Sequence, residues 1–138
     1  MAAEWAISPY LDAMFRNILV VDDDEDDREF FLQTIEEVYS GMNCITAVNG
    51  QDALDKLRDY RPDIIFLDLN MPLMNGFQFL ERLKQHSDLK HTPVVILSTS
   101  SDPRSIQDAI RCGARDFITK PDTLSGWELA LKKALSSG

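Results

Sequence analysis

From Asn17 onward, apolar and polar positions alternate between two rhythms. Short unbroken apolar runs recur at Ile18-Leu19-Val20-Val21, Cys44-Ile45-Thr46-Ala47-Val48, Ile64-Ile65-Phe66-Leu67, Val94-Val95-Ile96-Leu97 and Phe117-Ile118-Thr119. Runs of this kind, rich in β-branched residues, fit strands covered on both faces. Between them the apolar positions take helical spacing: Phe31, Ile35 and Val38; Ala53, Leu54 and Leu57; Phe79, Leu80 and Leu83; Ile106, Ala109 and Ile110; Trp127, Ala130, Leu131 and Ala134. The first helix is expected to stop near Ser40-Gly41, where glycine can take the left-handed cap. Asp102-Pro103 opens the fourth, with Asp as cap and Pro in the first turn. Ser125-x-x-Glu128 reads as a capping box opening the fifth. Strands alternating with helices predict an α/β domain: a five-stranded, doubly wound parallel sheet with helices on both faces and right-handed crossovers.

Residues 1–15 stand outside this pattern, and Pro9 interrupts them. They read as a leader, expected to be flexible, with the folded domain over 16–138. The alternative is an arm that packs Trp5, Tyr10 and Phe15 on the body or on a partner, and nothing in the sequence decides.

Composition narrows the class. The 138 residues are 44% apolar and 27% charged, which suits one globular domain. Fourteen basic against 23 acidic residues give a net charge of −9, which argues against direct DNA binding or an anionic membrane surface. No apolar run approaches the roughly 18 residues of a membrane span. The N-terminus carries Glu4 and no early Lys or Arg, so it does not read as a signal peptide. Cys44 and Cys112 are too few for a disulfide framework; they are expected to be reduced core thiols in a cytoplasmic setting.

In sheets of this kind, ligands bind beyond the carboxyl ends of the strands. The first strand runs into Asp22-Asp23-Asp24-Glu25-Asp26-Asp27. The third ends in Asp68, then Leu69-Asn70; the fourth in Ser98-Thr99-Ser100; the fifth in Lys120-Pro121. The acidic run standing alone reads equally well as a solvated loop. Gathered at one sheet edge, however, carboxylates about 4 Å apart repel by roughly 4 kcal/mol at an effective dielectric near 20. One lysine only partly neutralises them, whereas a divalent cation would. With oxygen ligands and no His or Cys, the ion expected is Mg²⁺, with Mn²⁺ possible. A calcium loop fits poorly: Asp22, Asp24 and Asp26 have its spacing, but Asp27 stands where Gly belongs and Gln33 where Glu belongs. No P-loop pattern occurs, and His86 and His91 are expected on the surface near the exit of the third helix.

The motifs Leu19-Val20-Val21-Asp22-Asp23, Leu67-Asp68-Leu69-Asn70-Met71-Pro72-x-Met74-Asn75-Gly76, Leu97-Ser98-Thr99 and Thr119-Lys120-Pro121, in that order and each at a strand end, resemble the receiver domain of two-component response regulators. The resemblance covers Asn17 to Leu135. It implies the flavodoxin-like strand order 2-1-3-4-5. It also implies Asp68 as phosphoacceptor, Asp23 as a direct metal ligand, Asp22 as the acid holding a metal-bound water, and the backbone carbonyl of Asn70 as a third protein ligand. Ser98 matches the hydroxyl that meets the phosphoryl group, Lys120 the lysine that pairs with Asp68, and Phe117 the aromatic that turns inward on activation. Asn70 and Ser100, each two residues beyond a site residue, match positions that tune access of the hydrolytic water. In many relatives the bond corresponding to Lys120-Pro121 is cis, and the same is expected here.

The chain departs from the family pattern at Asp122, where an apolar residue is usual, at Phe117, which lacks a tyrosine hydroxyl, and at Thr99, where Ala is common. The acids Asp24 to Asp27 exceed the usual pair. Met71, Met74 and Phe77 read as core and loop packing, and Trp127 as the anchor of the last helix.

The function implied is a phosphorylation-controlled switch without an output domain, taking its phosphoryl group from a sensor histidine kinase or a histidine phosphotransfer protein and acting on an unidentified downstream protein. A homodimer is left open. An Mg²⁺-dependent phosphatase using Asp68 is the enzyme rival, although Asn70 stands where its general acid would be. A phosphate-independent adaptor is the other rival, although both the acceptor and the lysine are present.

Overall fold

The computed structural model describes residues 15–39 and 41–136. Five strands alternate with five helices: β1 Asn17–Val21, α1 Glu25–Val38, β2 Asn43–Ala47, α2 Gly50–Lys56, β3 Ile64–Asp68, α3 Gly76–Lys84, β4 Val94–Ser98, α4 Pro103–Arg111, β5 Asp116–Thr119 and α5 Leu124–Ser136. All strand pairs are parallel, in the order β2-β1-β3-β4-β5.

The unbroken apolar runs are explained by the two cores they serve. Side chains alternate across a strand. Leu19, Val21, Ile65, Leu67, Val94 and Ile96 face one core, closed by Ala53, Phe79, Leu80, Leu83 and Ala109 from α2, α3 and α4. Ile18, Val20, Ile64, Phe66, Val95 and Leu97 face the other, closed by Phe31 and Ile35 of α1 and Trp127, Leu131, Ala134 and Leu135 of α5. The buried strands keep their polar positions to their ends, as β3 does with Asp68 and β4 with Ser98. The edge strands β2 and β5 are only half-buried, and they carry polar residues along their length.

Residues 1–14, which include Trp5 and Tyr10 of the expected leader, lie outside the described residues. Phe15 is buried in the second core, with the Arg115 guanidinium 5.7 Å from its ring centre. No helix among the described residues is long and apolar enough to cross a membrane.

Several local expectations need correction. The last helix opens not on a Ser125 box but on Thr123, whose Oγ1 accepts from Gly126 N–H at 3.1 Å. A Cβ at Gly126 would lie 2.7 Å from Pro121 Cβ, so glycine stands one turn inside the cap where a box would want Glu or Gln. Asp102 does cap α4, but its side chain accepts from the Ser105 hydroxyl (3.3 Å), not from the backbone. Ile110 is 47% exposed, because Ala109 takes the core-facing position of α4. Ala130 is half-buried, and Leu135 completes the α5 stripe. Cys112, past the end of α4, is exposed, and Cys44 on the edge strand is half-buried; neither is a full core thiol. Every peptide bond among the described residues is trans, Lys120-Pro121 included. Trans is the intrinsically preferred isomer, and Lys120 N–H still reaches the Ser98 carbonyl at 2.7 Å.

Gly41 has φ +90, consistent with the expected left-handed residue after α1. Met71 is buried while Met74 and Phe77 pack half-buried against the first core, as core and loop residues should. Both His86 and His91 are exposed.

Phe31 joins the two halves of the second core. Its ring meets Phe66 edge-on at 4.8 Å and Trp127 at 6.3 Å. Phe31→Ala should therefore cost about 3–5 kcal/mol of unfolding free energy in urea titrations. A loss below about 1 kcal/mol would mean the three rings do not carry this core.

Candidate functional site

Strand register assembles the site. In β1 and β3, Val21 pairs with Leu67, so the next residues, Asp22 and Asp68, leave the sheet side by side. Asp68 itself pairs with Leu97, and Ser98 follows. Ser98 pairs with Thr119, and Lys120 follows. Four polar groups more than ninety residues apart at the extremes thus share one edge.

Backbone turns then fix them. Asp22 N–H donates to the Ala47 carbonyl (3.0 Å), and Asp22 Oδ1 accepts from Asp24 N–H (2.9 Å). Arg28 Nη1 donates to the Asp22 carbonyl at 2.8 Å. Asp68 Oδ1 accepts from Asn70 N–H (3.3 Å), and Ser98 Oγ from Ser100 N–H (3.1 Å). Gly76 closes the loop beyond β3. Its N–H donates to the Leu69 carbonyl at 2.9 Å, and a Cβ there would meet both Asp68 O and Leu69 Cα at 2.9 Å. Only glycine lets α3 begin so close to the end of β3.

Asp22, Asp68 and Ser98 are buried, while Asp23, Asn70, Thr99 and Ser100 are exposed at the mouth. One oxygen from each of Asp22, Asp23 and Asp68 lies within 4.8 Å of the others. The Lys120 ammonium sits beside them, 2.9 Å from Asp22 Oδ2 and 3.6 Å from Asp68 Oδ2. Phe117 is half-buried against the first core, on the strand that leads to the lysine. Asp122 is exposed.

The charges feel one another. Burial, the neighbouring Asp22 charge and the adjacent Asp23 push the Asp68 carboxyl up to about 7, against the pull of Lys120 and the Asn70 N–H. Burial also raises Asp22, again only partly offset by the Asp24 N–H and Lys120. For Lys120, burial alone would lower the ammonium, but hydrogen bonds to Asp27 and Asp22 outweigh it and hold the lysine protonated. Two buried carboxylates, a third at the rim and one cation leave an excess of negative charge. An all-oxygen pocket of this kind could hold a hard divalent cation.

One participant was not singled out by the sequence. Asp27 Oδ2 lies 2.7 Å from the Lys120 ammonium, closer than either buried acid. In the sequence it is one acid in a run of six; only the start of α1 at Glu25, with Asp24 as cap, turns this particular side chain toward β5.

A sequence model of the response regulator receiver domain matches residues 18–129. The regulatory protein AtoC of Escherichia coli K12 is 32% identical over 119 residues, which cover 86% of this chain and 25% of AtoC. Protein PilG of Pseudomonas aeruginosa is 35% identical over 104 residues, 75% of this chain and 76% of PilG. The chain spans only about a quarter to a third of AtoC and of several other curated relatives it matches. Among solved structures, the phosphorylated cyanobacterial phytochrome response regulator RcpA superposes with a TM-score of 0.81 at 29% identity, covering 89% of this chain and 96% of that one.

The raised Asp68 has a consequence for stability. Between the ordinary carboxyl value of 3.8 and about 7, the folded chain binds the Asp68 proton more tightly than the unfolded chain does. Stability from this group is complete below the ordinary value and is lost as pH rises through about 7. Asp68→Asn, which mimics the neutral acid, should therefore stabilise the metal-free protein. Its advantage over the parent should grow by up to about 2–3 kcal/mol from pH 5 to pH 8. Urea titrations in the presence of a chelator would show this, and a gain that does not change with pH would contradict it.

Proposed function

Because the chain belongs to the response regulator receiver domain family, we propose that it is a signalling switch whose phosphoacceptor is Asp68. What supports this reading is one observation: a carboxylate at the end of a central strand shares a pocket with two further acids and a buried lysine. The solved relative RcpA is a phosphorylated protein of the same fold.

In the proposed reaction a carboxylate oxygen of Asp68 attacks the phosphorus of a phosphohistidine on a sensor kinase or a histidine phosphotransfer protein. The phosphorus–nitrogen bond breaks, its electron pair returns to the imidazole, and an aspartyl phosphate forms. The carboxylate needs no base, since it is already ionised when it attacks. Mg²⁺, or Mn²⁺ in its place, held by Asp22, Asp23, Asp68 and the Asn70 carbonyl, would supply positive charge beside the transferring group. Lys120 supplies a second positive charge at the same pocket. The Ser98 hydroxyl meets the bound phosphoryl group. That contact draws the β4 end inward, and Phe117 responds by packing alone because it has no hydroxyl to satisfy. In this reading Asn70 and Ser100, both exposed, tune access of the hydrolytic water. The chain catalyses only its own phosphorylation and dephosphorylation. It acts in the cytoplasm on another protein, not on DNA, and a homodimer is one form such an output can take.

The test is intact-mass spectrometry after incubation with acetyl phosphate and Mg²⁺. One phosphoryl group should be gained, and the gain should disappear in Asp68→Asn or with a chelator. Uptake that survives Asp68→Asn would sink the assignment, and sustained turnover of an aryl phosphate beyond one equivalent would favour a phosphatase.

A further inference from the structure

A lysine ammonium has three N–H donors and no acceptor. In this pocket three carboxylates compete for them. Asp27 Oδ2 is nearest at 2.7 Å, Asp22 Oδ2 follows at 2.9 Å, and Asp68 Oδ2 stands off at 3.6 Å. The first two distances are hydrogen bonds; the third is an ionic contact only. The lysine is thus directed away from the acceptor, and the closest of the groups directing it is an acid of α1 that belongs neither to the strand ends nor to the three-acid cluster.

Asp27 is well built for this. Its own N–H donates to Asp24 Oδ1 at 3.0 Å, which fixes the first turn of α1. Its carboxylate then reaches across to a lysine whose side chain is 8% exposed. Charge-assisted hydrogen bonds are roughly twice as strong as neutral ones, and solvent cannot easily replace this one around a buried ammonium. Glu25 and Asp26 share the same turn and are exposed.

We infer that Asp27 is a positioning residue that holds Lys120 back from Asp68 until a phosphoryl group competes for it. The inference rests on the reading of Asp68 as phosphoacceptor. In the resting protein Asp27 and Asp22 engage two of the three ammonium donors and draw the group to their side of the pocket. During transfer the three phosphoryl oxygens carry more negative charge than the carboxylate did, and Lys120 must shift from Asp27 toward Asp68 to meet them. Asp27 therefore sets a barrier to phosphorylation that the chemistry at phosphorus does not require. Its removal leaves the bonds made and broken unchanged and frees the cation that neutralises the transferring group.

The experiment measures the maximal rate of Asp68 phosphorylation by acetyl phosphate at saturating Mg²⁺, with intact mass as readout. Asp27→Asn should raise that rate at least about threefold, and Asp27→Ser should do the same. Asp27→Glu, which restores the charge, should return most of the way to the parent rate. Asp26→Asn, which removes an exposed acid from the same turn, should stay within about 1.5-fold of the parent, the scale of a screened surface charge. A rate unchanged or lowered in both Asp27→Asn and Asp27→Ser would overturn the inference while leaving the phosphoacceptor standing. So would an equal gain in Asp26→Asn, or no rescue by Asp27→Glu. If the parent protein itself takes up no phosphoryl group on Asp68, the reading beneath the inference fails and the inference falls with it.

Discussion

Repulsion among acids is the condition under which the strand-end pocket exists. Asp22 and Asp68 are driven side by side by the pairing of Val21 with Leu67, and neither can retreat, because each continues a strand sealed in two cores. The sheet bears the electrostatic cost of that placement, and burial of the apolar runs on either side offsets it. Lys120 relieves the repulsion in part and is itself kept charged by its acidic neighbours. What remains is a pocket biased toward binding positive charge.

That bias links packing to chemistry. A rigid sheet holds the Asp68 carboxyl where burial and its acidic neighbours raise it to about 7. Flexible loops would let Asp22 and Asp23 swing apart and lose the field. The turns that anchor the acids are backbone contacts: Asp24 N–H on Asp22 and Asn70 N–H on Asp68. Gly76 permits the close approach of α3 to the loop that carries the second of these.

The lysine is shared among acids from two different elements. Asp22 and Asp68 belong to the sheet, and Asp27 to α1. α1 also packs through Phe31 against Phe66 and Trp127, so the helix that restrains the lysine is coupled to the core beneath β3 and to α5.

Much of this was written in the chain itself. Unbroken apolar runs give buried parallel strands, because a residue covered on both faces leaves no room for alternation. Alternation with helices gives the layered fold, and acids, hydroxyl and lysine at successive strand ends give the pocket, because a parallel sheet brings like ends together. What the sequence could not carry was direction and distance. Asp27 was indistinguishable from Asp24, Glu25 and Asp26 until the helix began at a definite residue and turned one acid of the run toward Lys120. Ile110 and Cys112 looked like core until helix rotation put them at the surface. Thr123 displaced Ser125 as cap, its Oγ1 accepting from Gly126 N–H where Pro121 leaves room only for glycine. Periodicity and spacing are properties of neighbours in the chain, whereas these three outcomes depend on atoms that meet only after the sheet has closed.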